Sequence, residues 1–98
     1  MAKVFILNNT NHDYSKAERY GRLVDVTKGK VPIFKTSTVR AMLEEGLVDF
    51  AEDDYLLLAG PAILCVMASA VLFSKFETVK FLVFDAKQQD YAVRHLNK

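Results

Sequence analysis

The sequence predicts a single α/β domain over residues 1–98, ordered β-α-β-α-β-α-β-β, with a mostly parallel sheet and a C-terminal antiparallel hairpin strand. Three observations lead there. The runs Lys3–Leu7, Tyr55–Ala59 and Thr78–Phe84 are short and mainly apolar, the pattern of strands buried on both faces. Segments with helix start and stop signals separate the early strands, which favours parallel pairing through right-handed crossovers. Only Ala86–Gln89 separates the last two runs, too little for a crossover, so these pair antiparallel. A chain of 98 residues builds one core rather than two.

The elements follow in order. Lys3–Leu7 (KVFIL) is the first strand, and Asn8–Asp13 is a polar loop after it. Ser15 with Glu18 three residues later matches a capping box, so a short helix runs to Tyr20, where Gly21 stops it. Arg22–Thr27 alternates polar and apolar and reads as a half-buried strand near a sheet edge. Pro32 keeps Val31 extended. Thr36 or Ser37 then caps a helix that buries Val39, Met42 and Leu43 and ends at Gly46. Leu47–Phe50 packs back before the acidic turn Glu52-Asp53-Asp54. Tyr55–Ala59 is a strand, Gly60-Pro61 a turn, and 61–76 a helix that is apolar almost all round. Thr78–Phe84 and Asp90–Leu96 close the sheet.

Tyr55–Ser74 carries no charge and is long enough to cross a bilayer as one helix. Gly60-Pro61 argues against that, because a proline suits a first helical turn and disrupts a helix interior. No membrane partner is therefore expected. The net charge of +1 gives no broad field for duplex nucleic acid. Cys65 stands alone, which excludes an intrachain disulfide and fits a reducing compartment. Met1–Leu7 is too brief an apolar lead for a secretory signal, so the expected location is cytoplasmic.

In a parallel sheet, ligands bind beyond the carboxyl ends of the strands. That rule brings together Asn8–Asp13, Thr27–Lys30, the Gly60-Pro61 turn and Asp85. The turn is the central piece: free amides at the following helix start favour an anion, and a glycine allows close approach. It carries no glycine-rich phosphate-loop motif, and a plain turn before a helix-starting proline reads the same way. The candidate ligand-binding set is Asn9, Asn11, His12, Asp13, Lys30, Thr36, Gly60 and Pro61. In it, a phosphate rests at Gly60-Pro61, the Asn9–Asp13 loop reads a base or sugar, and Lys30 or Thr36 closes the site.

No catalytic set is assigned. His12-Asp13 is the one His-Asp pair, and adjacent residues rarely face each other; Asp13 equally suits helix capping. His12 and His95 lie far apart with one cysteine between them, so neither a metal nor another cofactor is expected. Cys65 reads as a small core residue. The last helix has a small-residue stripe, Ala62, Cys65 and Ser69, suited to packing on the sheet. Its opposite face, with Val66, Met67 and Ala70, suits a second copy, which predicts a homo-oligomer through the 61–76 helix.

Three stretches, Asn11–Ser15 with Ala17-Glu18, Asp54–Leu58 with Gly60, and Leu82–Lys87, resemble a group of small, functionally unsettled α/β proteins of tailed phages and prophages. The resemblance covers most of the chain. It implies a protein made in the cytoplasm of an infected bacterium. Small phage proteins of this kind include factors that bind or destroy nucleotide immune signals, which implies an oligomeric accessory protein sequestering a phosphorylated ligand. Two other readings stay open: a metal-independent phosphodiesterase or nuclease using His12, and a protein-interaction or virion-associated factor.

Overall fold

A computed structural model describes all of residues 1–98. Five strands form one sheet: β1 (Lys3–Asn9), β2 (Arg22–Lys28), β3 (Tyr55–Leu57), β4 (Thr78–Asp85) and β5 (Asp90–Asn97). Their order is β2-β1-β3-β4-β5. The first four are parallel, and β5 runs antiparallel to β4 from Thr78↔Asn97 to Asp85↔Asp90. The expected architecture is therefore the observed one.

The chain places β2 on one side of β1 and then returns past β1 to lay down β3. Crossovers of one hand that run in opposite directions put their connecting segments on opposite faces. A short 3-10 helix (Ser15–Tyr20) accordingly covers one face, while α1 (Thr36–Gly46) and α2 (Ala62–Phe73) cover the other. β1 is central and its apolar residues are buried on both sides. Phe5 and Leu7 enter the larger core under α1 and α2, and Val4 and Ile6 enter the smaller core under the 3-10 helix. Burying a ring such as Phe5 stabilises by about 2–3 kcal/mol. Its ring meets Phe50 at 5.1 Å, and Phe50 meets Phe76 at 5.8 Å, which pins the segment after α1.

Several helix ends differ from expectation. Ser15 does not cap; its amide instead donates to Asp13 Oδ1 at 2.9 Å, and no side-chain cap bond forms with Glu18. The six residues adopt a 3-10 helix, whose larger rise per residue suits a short link crossing a sheet. Only an alanine, Ala17, fits fully buried beneath it. α1 has no side-chain cap from Thr36 or Ser37, and Lys35 precedes it. Gly46 is not a left-handed stop. It is the last residue of α1, where a Cβ would lie 2.8 Å from a Val26 methyl and 2.9 Å from the Val26 carbonyl oxygen. Glycine there lets α1 sit directly on β2.

α2 turns Leu64, Ala68, Val71 and Leu72 to the sheet. The small-residue stripe is not that seam: Ala62 is exposed and Cys65 and Ser69 are half-buried on the flank. Leu64, Val71 and Leu72 fill the space over the sheet, and Ala68 is the one small residue at a sheet-facing position. The outward side exposes Ile63, Val66 and Ala70, while Met67 is half-buried against the core. At 12 residues α2 is far short of a bilayer, and no helix is long and apolar enough to cross one. Burial raises the Cys65 thiol pKa, which keeps it protonated and unreactive at neutral pH.

Of the acidic turn Glu52-Asp53-Asp54, Asp54 turns inward while Glu52 and Asp53 are exposed. It is almost fully buried, and its carboxylate accepts from the Lys3 and Ala51 amides, each at 2.8 Å, with the Lys3 ammonium at 3.8 Å. It ties the start of β1 to the turn that leads into β3.

Candidate ligand-binding cleft

The strand path reverses between β1 and β3, which opens a crevice beyond their carboxyl ends. A cleft of about 450 Å³ lies there. Thr10, His12, Asp13 and Tyr14 form one wall, Leu57–Gly60 the second, and Phe84 with Tyr91 the third.

Local chemistry shapes each wall. The first wall is a loop folded on its own side chains. Asn9 Oδ1 accepts the Asn11 amide at 3.0 Å, and Asn11 takes a left-handed φ of 68°. Tyr14 is buried, and its hydroxyl donates to the Asn8 carbonyl at 3.4 Å while accepting from the Thr10 amide at 3.4 Å. Asp13 accepts the Ser15 amide, so its carboxyl stays below the usual range, chiefly through hydrogen bonds to Ser15. In the second wall Gly60 has φ 106°, and a Cβ there would lie 2.8 Å from Asn8 Cβ. Asn8 itself is buried, with its side-chain oxygen 3.2 Å from the Thr27 hydroxyl, which donates to the Leu7 carbonyl at 2.7 Å.

The third wall is a cross-strand pair. Phe84 faces Tyr91 with ring centroids 5.4 Å apart and planes at 71°. The 3-10 helix holds this hairpin: Arg19 donates to both Asp90 carboxylate oxygens at 2.7 and 2.8 Å, and Lys16 binds the Gln89 carbonyl. The guanidinium lowers the Asp90 pKa, and the carboxylate raises that of Arg19. Burial, with smaller contributions from Tyr14 and Asp13, raises the Tyr91 phenol pKa.

Three of the eight residues expected from sequence, His12, Asp13 and Gly60, line the cleft. Asn9 and Asn11 shape its loop instead. Asn9 Nδ2 donates to Asp25 at 2.9 Å, which leaves little of its amide for a ligand. Pro61 precedes α2 and its carbonyl accepts from Leu64 at 3.0 Å and Cys65 at 3.3 Å, so one first-turn amide is already partnered inside the helix. Lys30 lies in the segment joining β2 to α1 and Thr36 opens α1, and neither lines the cleft. The aromatic walls Tyr14, Phe84 and Tyr91 were not expected. Strand parity carried a signal, since Phe84 shares the face of Leu82 and opposes Tyr91 across the hairpin.

No hydrogen bond joins His12 to Asp13. Asp13 Oδ1 accepts the Ser15 amide, and the imidazole sits edge-on to Tyr14 with ring centroids 6.3 Å apart. Asp13 therefore does not orient the His12 imidazole. No three His, Cys, Asp or Glu side chains are grouped closely enough to hold a metal ion.

No curated protein and no solved structure matches the chain. A family model described as Phage Pam3 gp32-like protein matches residues 2–98. A match over nearly the whole chain shows the family, so the phage resemblance seen in the residues is correct, and the chain belongs to the Phage Pam3 gp32-like proteins.

Proposed function

We propose that this protein is a phage accessory protein that binds a small organic ligand in the cleft between β1, β3 and the β4–β5 hairpin, without turning it over. One observation carries the reading: a ring-lined cleft of about 450 Å³ lies at the point where strand order reverses. Small-molecule sites are concave and largely apolar with a few polar groups, and they favour this point in open α/β sheets. The side chains that shape the cleft are committed to holding the loop and hairpin in place, which suits a binding module. In the cytoplasm of an infected bacterium such a protein lowers the free concentration of its ligand. In the nucleotide form of this reading, a base stacks on the cleft rings and a phosphate lies at Gly60-Pro61. The ring contacts would then dominate, since no lysine or arginine lines the cleft.

The test is a thermal-shift and calorimetric panel of nucleosides, linear and cyclic nucleotides, and small amines. The expected result is saturable binding by one class, weakened about tenfold by Phe84→Ala, as loss of a stacked ring implies, and unchanged by Lys30→Ala. A panel with no binder, or binding indifferent to Phe84→Ala and His12→Ala, overturns the reading.

A second reading concerns self-association. α2 has no charged residue and exposes Ile63 and Val66 at 43% and 63%. An uncharged stripe complements itself across a two-fold axis, so the covering partner in this proposal is a second copy of the chain.

A further inference from the structure

We propose that the ligand presents a small organic cation, an alkylated amine or quaternary ammonium group, to the ring-walled part of the cleft; this rests on reading the cleft as a ligand site. Four rings line it: His12, Tyr14, Phe84 and Tyr91. They come as two corners. His12 and Tyr14 meet at 85°, and Phe84 and Tyr91 at 71°. A flat base is best held between parallel rings, whereas corners offer faces in several directions and suit a rounded head group. The faces of Tyr14, Phe84 and Tyr91 are the negative part of the ring quadrupole and attract a cation within about 6 Å of the ring centroid.

Charge points the same way. Asp13 is the one ionisable carboxylate on the lining, and its bond from Ser15 favours the ionised form. The cations of the neighbouring 3-10 helix are occupied: Lys16, which also lies in the field of Asp13, binds the Gln89 carbonyl, and Arg19 binds Asp90. An anion entering this space meets a carboxylate and no cation to replace its lost hydration. A cation meets ring faces and a carboxylate. Alkylation spreads the charge and weakens hydration, so less is lost on entry.

Choline and its uncharged carbon isostere, dimethylbutanol, test this by NMR titration of the full chain, with adenosine and AMP as separate arms. The expected result is that choline perturbs the resonances of Phe84, Tyr91 and His12, and that its methyl signals move upfield in the ring currents. The isostere binds at least about tenfold more weakly, the size of a desolvated cation–π contact. Asp13→Asn keeps an acceptor for Ser15, so the loop stays folded; it weakens choline about threefold or more and leaves the isostere unchanged. Equal binding of choline and the isostere overturns the proposal, as does choline binding indifferent to Asp13→Asn. If adenosine or AMP occupies the cleft and choline does not, the cation assignment falls while the ligand site stands. If no probe perturbs the cleft, both fall.

Discussion

Replacing Gly60 by alanine is the sharpest perturbation of the cleft floor. Two costs add. The backbone at φ 106° is a region L side chains rarely adopt, with a cost of about 1–3 kcal/mol. The new Cβ would lie 2.8 Å from Asn8 Cβ, closer than carbon atoms pack, and 3.2 Å from Asn8 Nδ2. Asn8 cannot swing aside freely, because it is 3% exposed and its side-chain oxygen contacts the Thr27 hydroxyl. Together these give a loss of about 3 kcal/mol, a moderate overpacking cost added to the strain. In urea, with a slope near 1 kcal/mol/M for a chain this size, the midpoint falls by about 3 M at unchanged slope. Gly29→Ala is the control. It has φ 65°, also left-handed, but a Cβ there meets nothing within 4 Å, so it costs only about 1 kcal/mol of strain. If the two variants lose equal stability, or Gly60→Ala loses under about 0.5 kcal/mol, the close approach of Asn8 does not govern the turn.

Further expectations concern other parts of the fold. Asp54→Asn leaves one of the two amide donors facing an NH₂ group and lowers stability by about 2 kcal/mol in urea, while leaving the cleft resonances in place. Arg19→Ala loosens the start of β5, so hydrogen exchange around Asp90 and Tyr91 speeds up at least about tenfold while the β1 amides keep their protection. The Cys65 thiol pKa lies above its ordinary 9.0, and the folded chain therefore holds its proton to higher pH than the unfolded chain. That contribution to stability is complete below pH 9.0 and is lost as pH rises through the folded value; alkylation at neutral pH is slower than for a free thiol. Val66→Glu places a charge on the outward stripe of α2, and light scattering then reports a monomer where the wild type self-associates; a wild type already monomeric at high concentration removes the second-copy reading.

The sequence by itself determined the fold class, because the signals are local. Val4–Leu7 is an unbroken apolar run, the pattern of a strand buried on both faces, and β1 is central with both faces buried. Gly60-Pro61 divided a charge-free stretch into strand and helix through backbone geometry alone. The same topology pointed to the carboxyl end of the sheet, and His12, Asp13 and Gly60 line the cleft found there. Tertiary structure decided the rest. Asn9 looked like a ligand reader until its amide found Asp25, 16 residues away. Asp54 read only as part of an acidic turn until the amide of Lys3, 51 residues earlier, placed its donor against it. Gly46 looked like a helix stop, and its role is set by contact with Val26. Phe84 and Tyr91 became walls of a cleft only when the 3-10 helix anchored their hairpin beside the Thr10–Tyr14 loop. Local propensity chooses strand, turn or helix from a few neighbours; which side chains are spent on structure and which are left to face a ligand depends on contacts between residues far apart in the chain.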